Sequence, residues 1–367
     1  EELVYATDIA YSDFQPNDEL LNIAQQQKRV IVSDAGLKVA KAIAEGKTKT
    51  FEYKSMFIKD GADGTKGGLG VLRSGSNDNQ TCLVMKAASQ GMGHGHFDRL
   101  NVLFFDNNVE VFSDYGSVRF LNVETKSGGG YTKENDTWAK ASIAHNTLVV
   151  DKTSHFNGNA EIGEKYAPSL LYFDANKNFQ VVSAEENKAY DDVKMLRTVI
   201  LFQPQGAGSP LFIDVFKVRS TATHQYDLPF WYQGHLTNTT FPYQNNNTQL
   251  PAFGSKYGYE HIWLNAEGKV NNTNGAITFL NNRKYYTTTF LADTTSKVSF
   301  VTLGANDPDF NLRSEKAFVL TQPKTGNHTF IDITEPHGIN NPLVEFTKGF
   351  IPLTKNIQLI NDNETGS

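Results

Sequence analysis

Two of the nine histidines stand two residues apart in Gly91-Met92-Gly93-His94-Gly95-His96-Phe97-Asp98. On an extended chain that spacing puts both imidazoles on one face, and Gly93 and Gly95 leave room beside them for a ligand or another backbone. With Asp114 and His145 further along, the chain offers imidazole nitrogens and a carboxylate oxygen, a ligand set that zinc accepts with one position left for water. The same groups also suit a β-protein in which histidines are simply solvated or hydrogen-bonded, and spacing alone leaves both readings open. A second feature is Ser127-Gly128-Gly129-Gly130-Tyr131, a glycine-rich loop ending in a phenol. With an unperturbed pKa near 10, a tyrosine becomes a useful base or acid only where cations and hydrogen bonds stabilise its phenolate. Arg119, His94 and a bound metal are candidates for that positive field, although most of the 15 tyrosines must simply pack. The glycine run is no phosphate cradle, because no Lys-Ser or Lys-Thr follows and no strand-loop-helix pattern surrounds it. No Gly-x-Ser-x-Gly elbow occurs either.

The elements that must position these groups are mostly strands. Only residues 1–46 read as helical. Asn17 or Asp18 caps a helix carrying Leu20, Leu21, Ile23 and Ala24, and Ser33 caps another with Leu37, Ala40, Ile43 and Ala44 on one stripe until Gly46 stops it. From residue 48 onward, short runs rich in Val, Ile, Phe, Tyr and Thr are separated by Asn, Asp and Gly clusters, as antiparallel strands require. Residues 101–105 and 109–113 flank Asp106-Asn107-Asn108, which predicts a hairpin. Further strands are expected at 147–151, 196–202, 211–218, 285–291, 298–303 and 317–321. So many strands with so little helix predict a mainly β fold, a large stacked antiparallel β-sandwich with a short helical N-terminal segment. The domain division expected is 1–46 and 47–367, with a small C-terminal β subdomain after about residue 340. The Asn-rich stretch 237–248 reads as a polar loop.

Composition narrows the partners. With 367 residues a sizeable core is available, and 34 basic against 40 acidic residues leave a net charge of −6, with a pI near 5.9. That argues against nucleic acid or an anionic membrane surface, both of which are met by a basic face. The single cysteine, Cys82, excludes an intrachain disulfide framework and a multi-thiolate metal site. The apolar run 199–202 is far short of the ~20 residues of a membrane helix. The chain begins Glu1-Glu2 with no initiator Met or signal segment, which predicts a processed product or a piece of something longer.

The same motifs carry a family resemblance. Gln90-Gly91-Met92-Gly93-His94-Gly95-His96-Phe97-Asp98, Asp114-Tyr115-Gly116-Ser117-Val118-Arg119-Phe120, Gly129-Gly130-Tyr131 and Ser142-Ile143-Ala144-His145-Asn146-Thr147-Leu148 resemble the β-sandwich half of the heparinase II/III-type polysaccharide lyases, with family 17, the oligoalginate lyases, as the best match. His224-Gln225-Tyr226-Asp227-Leu228-Pro229-Phe230, Arg283-Lys284-Tyr285-Tyr286 and Gly304-Ala305-Asn306-Asp307-Pro308-Asp309-Phe310-Asn311 extend the resemblance along nearly the whole chain. It implies that His96, Asp114 and His145 hold a structural zinc, that His94 lines the catalytic cleft, that Arg119 contacts the uronate, and that Tyr131 is a catalytic tyrosine. It also implies an N-terminal α/α toroid, of which residues 1–46 resemble only the last helices and which supplies an Asn-His pair and a second tyrosine.

The activity so implied is β-elimination from uronate oligosaccharides, as an exolytic oligoalginate (mannuronate) lyase. A heparinase-like lyase acting on a glycosaminoglycan is the nearest alternative, and a pI near 5.9 fits a heavily sulfated substrate less well. A cupin-type metal oxidase would want a Glu soon after the His-x-His pair, and none occurs between His96 and Glu110. From a different class comes a fragment that folds and binds zinc and sugar but catalyses nothing. The expected partners are a uronate oligosaccharide and the toroid, with a homodimer as another way of covering an open face. The expected location is the periplasm or cell surface, where alginate oligomers arrive.

Overall fold

The computed structural model describes residues 2–14, 16–75, 79–91, 94–116, 120–123, 130–206 and 208–360. It divides into two units, Glu1–Lys54 and Ser55–Ser367. In the first, helix α1 (Glu2–Asp13), helix α2 (Asp18–Gln27) and helix α3 (Asp34–Ala44) pack around Tyr11, Leu21, Ala24, Val39 and Ala42. Asn17 caps α2 by accepting from Glu19 N, and Ser33 caps α3 by accepting from Gly36 N. Each satisfies a backbone donor that the first turn leaves without a partner. Asp8 ties α1 to the approach of α3, its carboxylate accepting from Ile31 N at 2.7 Å. Helix α1 is an addition to the expected pair.

The second unit stacks an 11-stranded and an 8-stranded sheet, with antiparallel pairing throughout, and a separate hairpin pairs Ile339–Asn341 with Phe346–Lys348 among the described residues. Between the sheets lies an aromatic core. Phe112 of the larger sheet meets Phe212 and Phe279 of the smaller one at ring-centroid distances of 6.2 and 6.1 Å. The hairpin of strands Asn101–Asp106 and Val109–Phe112 turns through Asn107 and Asn108, both at positive φ, the conformation that a two-residue turn between twisted strands demands.

Three central strands of the larger sheet are buried on both faces. On strand His224–Tyr232 the residues Leu228 and Phe230 enter the inter-sheet core, while Trp231 points the other way into a second cluster with Tyr115, Trp138, Ile143 and Tyr259. Strands Lys297–Leu303 and Lys316–Thr325 divide their residues between the two clusters in the same alternation. This explains why their sequences read as continuous apolar runs rather than alternating ones. The cover on the outer face is the irregular segment 130–148, and it is this segment that brings the chemistry-bearing residues to the sheet.

The Asn-rich stretch corrects the expectation of a plain loop. It contains strands His235–Thr239 and Tyr243–Asn245, each pairing at the margin of its sheet. Polar residues suit such strands because part of each faces water.

Candidate functional site

Asp114 stands two residues past the end of strand Val109–Phe112, and His145 follows the short 3-10 turn Ser142–Ala144. His96 comes from the loop before strand Asn101–Asp106. These three sequence-distant groups converge. One ligand atom from each lies within 4.8 Å of the others. The His96 and His145 rings are 5.2 Å apart, and His145 Nδ1 lies 3.1 Å from Asp114 Oδ1.

Backbone and amide hydrogen bonds hold them there. Phe97 N donates to Lys140 O at 2.9 Å, Ser142 Oγ donates to Phe97 O, and Thr147 Oγ1 donates to Arg99 O, so the His96 loop is laced to the His145 segment. Asn101 Nδ2 donates to Asp114 Oδ2 at 2.7 Å, and its Oδ1 accepts from Asn146 N at 2.9 Å. Asn146 is a fully buried hub. Its Nδ2 reaches Val102 O and Ser113 O, both at 2.9 Å, and its Oδ1 accepts from Trp231 N at 2.7 Å. From the smaller sheet, Arg197 Nη1 donates to Leu100 O at 2.7 Å and Asn146 O at 2.6 Å, while Asp214 pairs with the rest of its guanidinium.

The electrostatics follow from this packing. Burial pushes the His96 imidazole down to about 4, and repulsion from His145 adds to the effect. At Asp114 burial opposes ionisation, but the charge and hydrogen bond of His145 outweigh it and hold the carboxyl well below the usual range. At His145 burial again opposes charge, and Asp114 overcomes it, raising the imidazole above its ordinary value. His96 therefore presents a neutral imidazole and Asp114 an ionised carboxylate, the protonation states that metal ligands need, while a metal at His145 would have to displace the proton that Asp114 favours there. His145 Nε2 is buried with no hydrogen-bond partner among the described residues. Two imidazoles, one carboxylate and an orphaned buried nitrogen within this span fit a zinc ion.

The other expected residues are placed differently. Residues 94–98 form a turn and loop rather than a strand, so the same-face argument for the histidine pair does not hold: His94 is exposed and His96 half-buried. Tyr131 is 66% exposed, in the turn that leads to the π-helix Asn135–Ala139, a helix type that often marks functional sites. Arg119 and residues 127–129 of the glycine-rich loop lie outside the described residues. Sequence reasoning missed Asn101, Asn146 and Arg197. The signal for Arg197 was present: in Val193–Phe202 it shares the inward phase of Met195, Val199 and Leu201, where a cation must find a carboxylate.

An alginate lyase of Stenotrophomonas maltophilia is 43% identical over 349 residues, which is 95% of this chain and 47% of that protein. An exo-oligoalginate lyase of Saccharophagus degradans is 39% identical over 365 residues, 99% of this chain and 50% of that protein. The chain thus spans about half the length of these relatives. Among solved structures, a heparinase III superposes with a TM-score of 0.55 at 16% identity, covering 91% of this chain and 41% of that one. The heparan sulfate lyase of Pedobacter heparinus gives 0.52 at 16% identity, with the same two coverages. At such identities the likeness shows a shared fold. The family model described as heparinase II/III-like, C-terminal, matches residues 59–334, a span that takes in most of both stacked sheets and every residue of the His96–Asp114–His145 cluster. The chain therefore belongs to the heparinase II/III-like C-terminal family.

Proposed function

We propose that this chain is the β-sandwich part of a polysaccharide lyase that acts on uronate oligosaccharides, with alginate oligomers as the substrate and exolytic release as the mode. The observation that carries the proposal is the 43% and 39% identity, over nearly the whole chain, to proteins named alginate lyase and exo-oligoalginate lyase. The likeness to heparin-type lyases is one of fold, so a glycosaminoglycan substrate has less support.

In the reaction the C5 proton passes to a base and the C4–O bond breaks with its electron pair on the oxygen. That oxygen takes up a proton, and a C4–C5 double bond remains. The barrier lies in the acidity of the C5–H bond, and donors aimed at the neighbouring carboxylate lower it by stabilising the charge that develops there. His94 and Arg119 take that role in this reading. Tyr131, exposed at the end of its loop, transfers the proton. His96, Asp114 and His145 would hold a zinc ion, which supplies charge that ties three segments together and fixes the turn carrying His94. An N-terminal helical toroid in the full-length protein would supply an Asn-His pair and a second tyrosine, with export to the periplasm or cell surface.

The test is an assay of the full-length protein and of this chain alone on oligomannuronate, following the ultraviolet absorbance of the unsaturated product. Turnover by the full-length protein is expected, and far less by this chain alone. Absence of an unsaturated product from any uronate oligomer would sink the lyase reading.

A further inference from the structure

Residues 304–313, outside the cluster described above, form a loop built in an unusual way. The Asp307 carboxylate accepts from Asn311 N at 3.0 Å and Leu312 N at 2.8 Å, curling the backbone tightly around it. The loop is then fastened at residues that precede and follow Tyr131 in the chain. On one side Leu121 N donates to Asn311 O at 2.6 Å and Asn122 Nδ2 donates to Phe310 O at 3.0 Å. On the other, Asn311 Nδ2 reaches Glu134 Oε2 at 3.4 Å, with the Glu134 side chain buried. Arg313 N donates to the Tyr115 hydroxyl at 3.2 Å, close in sequence to Asp114.

At the apex sits Phe310, 74% exposed, with φ at +53°. A side chain with a Cβ enters the left-handed region only against steric opposition. Here the chain accepts that strain, and the result is to hold a large apolar ring out in water on a loop anchored at four points. Leu121, 46% exposed, makes one of these anchoring hydrogen bonds through its backbone, and Tyr131, 66% exposed, stands three residues before Glu134, which makes another. A single exposed aromatic is ordinary on a protein surface. One presented on an anchored loop, next to an exposed leucine and tied through Asn311 to Glu134 three residues after Tyr131, is a platform. Pyranose rings have one face of C–H groups and a rim of hydroxyls and carboxylates, and the C–H face is what an aromatic ring covers with little entropic cost.

We infer that Phe310 forms a sugar-stacking subsite, taking the apolar face of a hexuronate ring next to the one acted on at Tyr131. This rests on the uronate lyase reading for the identity of the sugar, and on the loop geometry for the place where it binds. Phe310 is a positioning residue, since its ring has no group that can exchange a proton.

The decisive experiment uses the full-length enzyme carrying Phe310→Trp together with Tyr131→Phe, so that the oligomer is bound but not consumed. Two of this chain's three tryptophans, Trp138 and Trp231, are buried, and a difference spectrum against the Tyr131→Phe parent isolates the new indole. Its emission should be that of a water-exposed indole in the free protein and should shift to the blue, saturably, with a mannuronate oligomer. A mannose oligomer serves as the uncharged control and should give a weaker response. In kinetics, Phe310→Ala should raise KM by about tenfold with kcat moved far less, the pattern of lost uniform binding, while Phe310→Tyr should restore KM. No indole response to any oligomer overturns the subsite, whether or not the wild-type enzyme turns over. So does an indole already buried in the sugar-free full-length protein, because another part of the protein then covers the ring. An intact indole response in the double variant, together with a wild-type protein that yields no unsaturated product, overturns the lyase reading and leaves the subsite standing.

Discussion

The His96–Asp114–His145 cluster and the loops carrying Tyr131 and Phe310 are built on opposite principles. The first is locked from behind: His145 and Asn146 are fully buried, and Asn101, Asn146 and Arg197 satisfy the backbone around the three donors. The second is locked only at its base, and its rings stand in water. Groups that hold a fixed shape are buried and hydrogen-bonded before any ligand arrives. In the proposed function Tyr131 and Phe310 would meet the substrate, and they stay open, with pre-organisation confined to the backbone beneath them.

The difference is broken most strongly at Tyr131. On the proposed function, Tyr131→Phe in the full-length protein should lower turnover by roughly 100-fold or more, the usual range for losing a proton-transferring group, with an unchanged thermal midpoint because the ring is largely exposed. Near-normal kcat in the Phe variant would remove Tyr131 from the chemistry. His145→Ala should do the reverse to this chain, lowering both bound zinc, read by elemental analysis, and thermal stability, since a metal that closes the fold contributes folding energy. Full zinc occupancy in that variant would show that the cluster is not a metal site.

Asn146→Ala should cost on the order of 3 kcal/mol in urea unfolding, because it leaves Val102 O, Ser113 O and Trp231 N without their buried partner. A loss well under 1 kcal/mol would mean that the hub is dispensable. The smallest effect is expected from pH. Buried His155 accepts from Arg99 N through Nδ1 and donates to Leu148 O through Nε2, so it must be neutral. Burial brings it down to about 3. With a folded pKa below the unfolded value near 6.5, the unfolded state binds the extra proton between them. Stability is then fully present above pH 6.5 and falls as pH drops, by about 2 kcal/mol between 6.5 and 5. In His155→Gln that part of the pH slope should vanish, and an unchanged slope would assign it to other groups.

Much of the fold is legible in residue order where local chemistry decides it. Asn107-Asn108 announces its hairpin, and Asn17 and Ser33 cap helices as their hydroxyl and amide chemistry requires. Helix α1 is not legible as a stripe, because Leu3, Val4, Tyr5, Ile9 and Tyr11 spread around it. The polar strands near 240 are hidden because margin strands gain their stability from pairing rather than from an apolar face. For the site, the residue types of the donor cluster can be read from the chain, but the locking groups cannot. Asn146 looks like any loop asparagine until folding surrounds it with carbonyls, and His94 and His96 part company because a turn, not a strand, carries them.

Arg197 has a consequence in time as well as in space. It belongs to the smaller sheet, and the carbonyls it caps, Leu100 and Asn146, are 97 and 51 residues away in sequence. Contacts of such separation form only after long loops have been closed. The donor cluster thus reaches its final geometry after the two sheets have docked, so a half-folded chain presents three scattered side chains to any passing ion. Ion capture at this place would act as a late checkpoint, reporting that the whole sandwich is assembled.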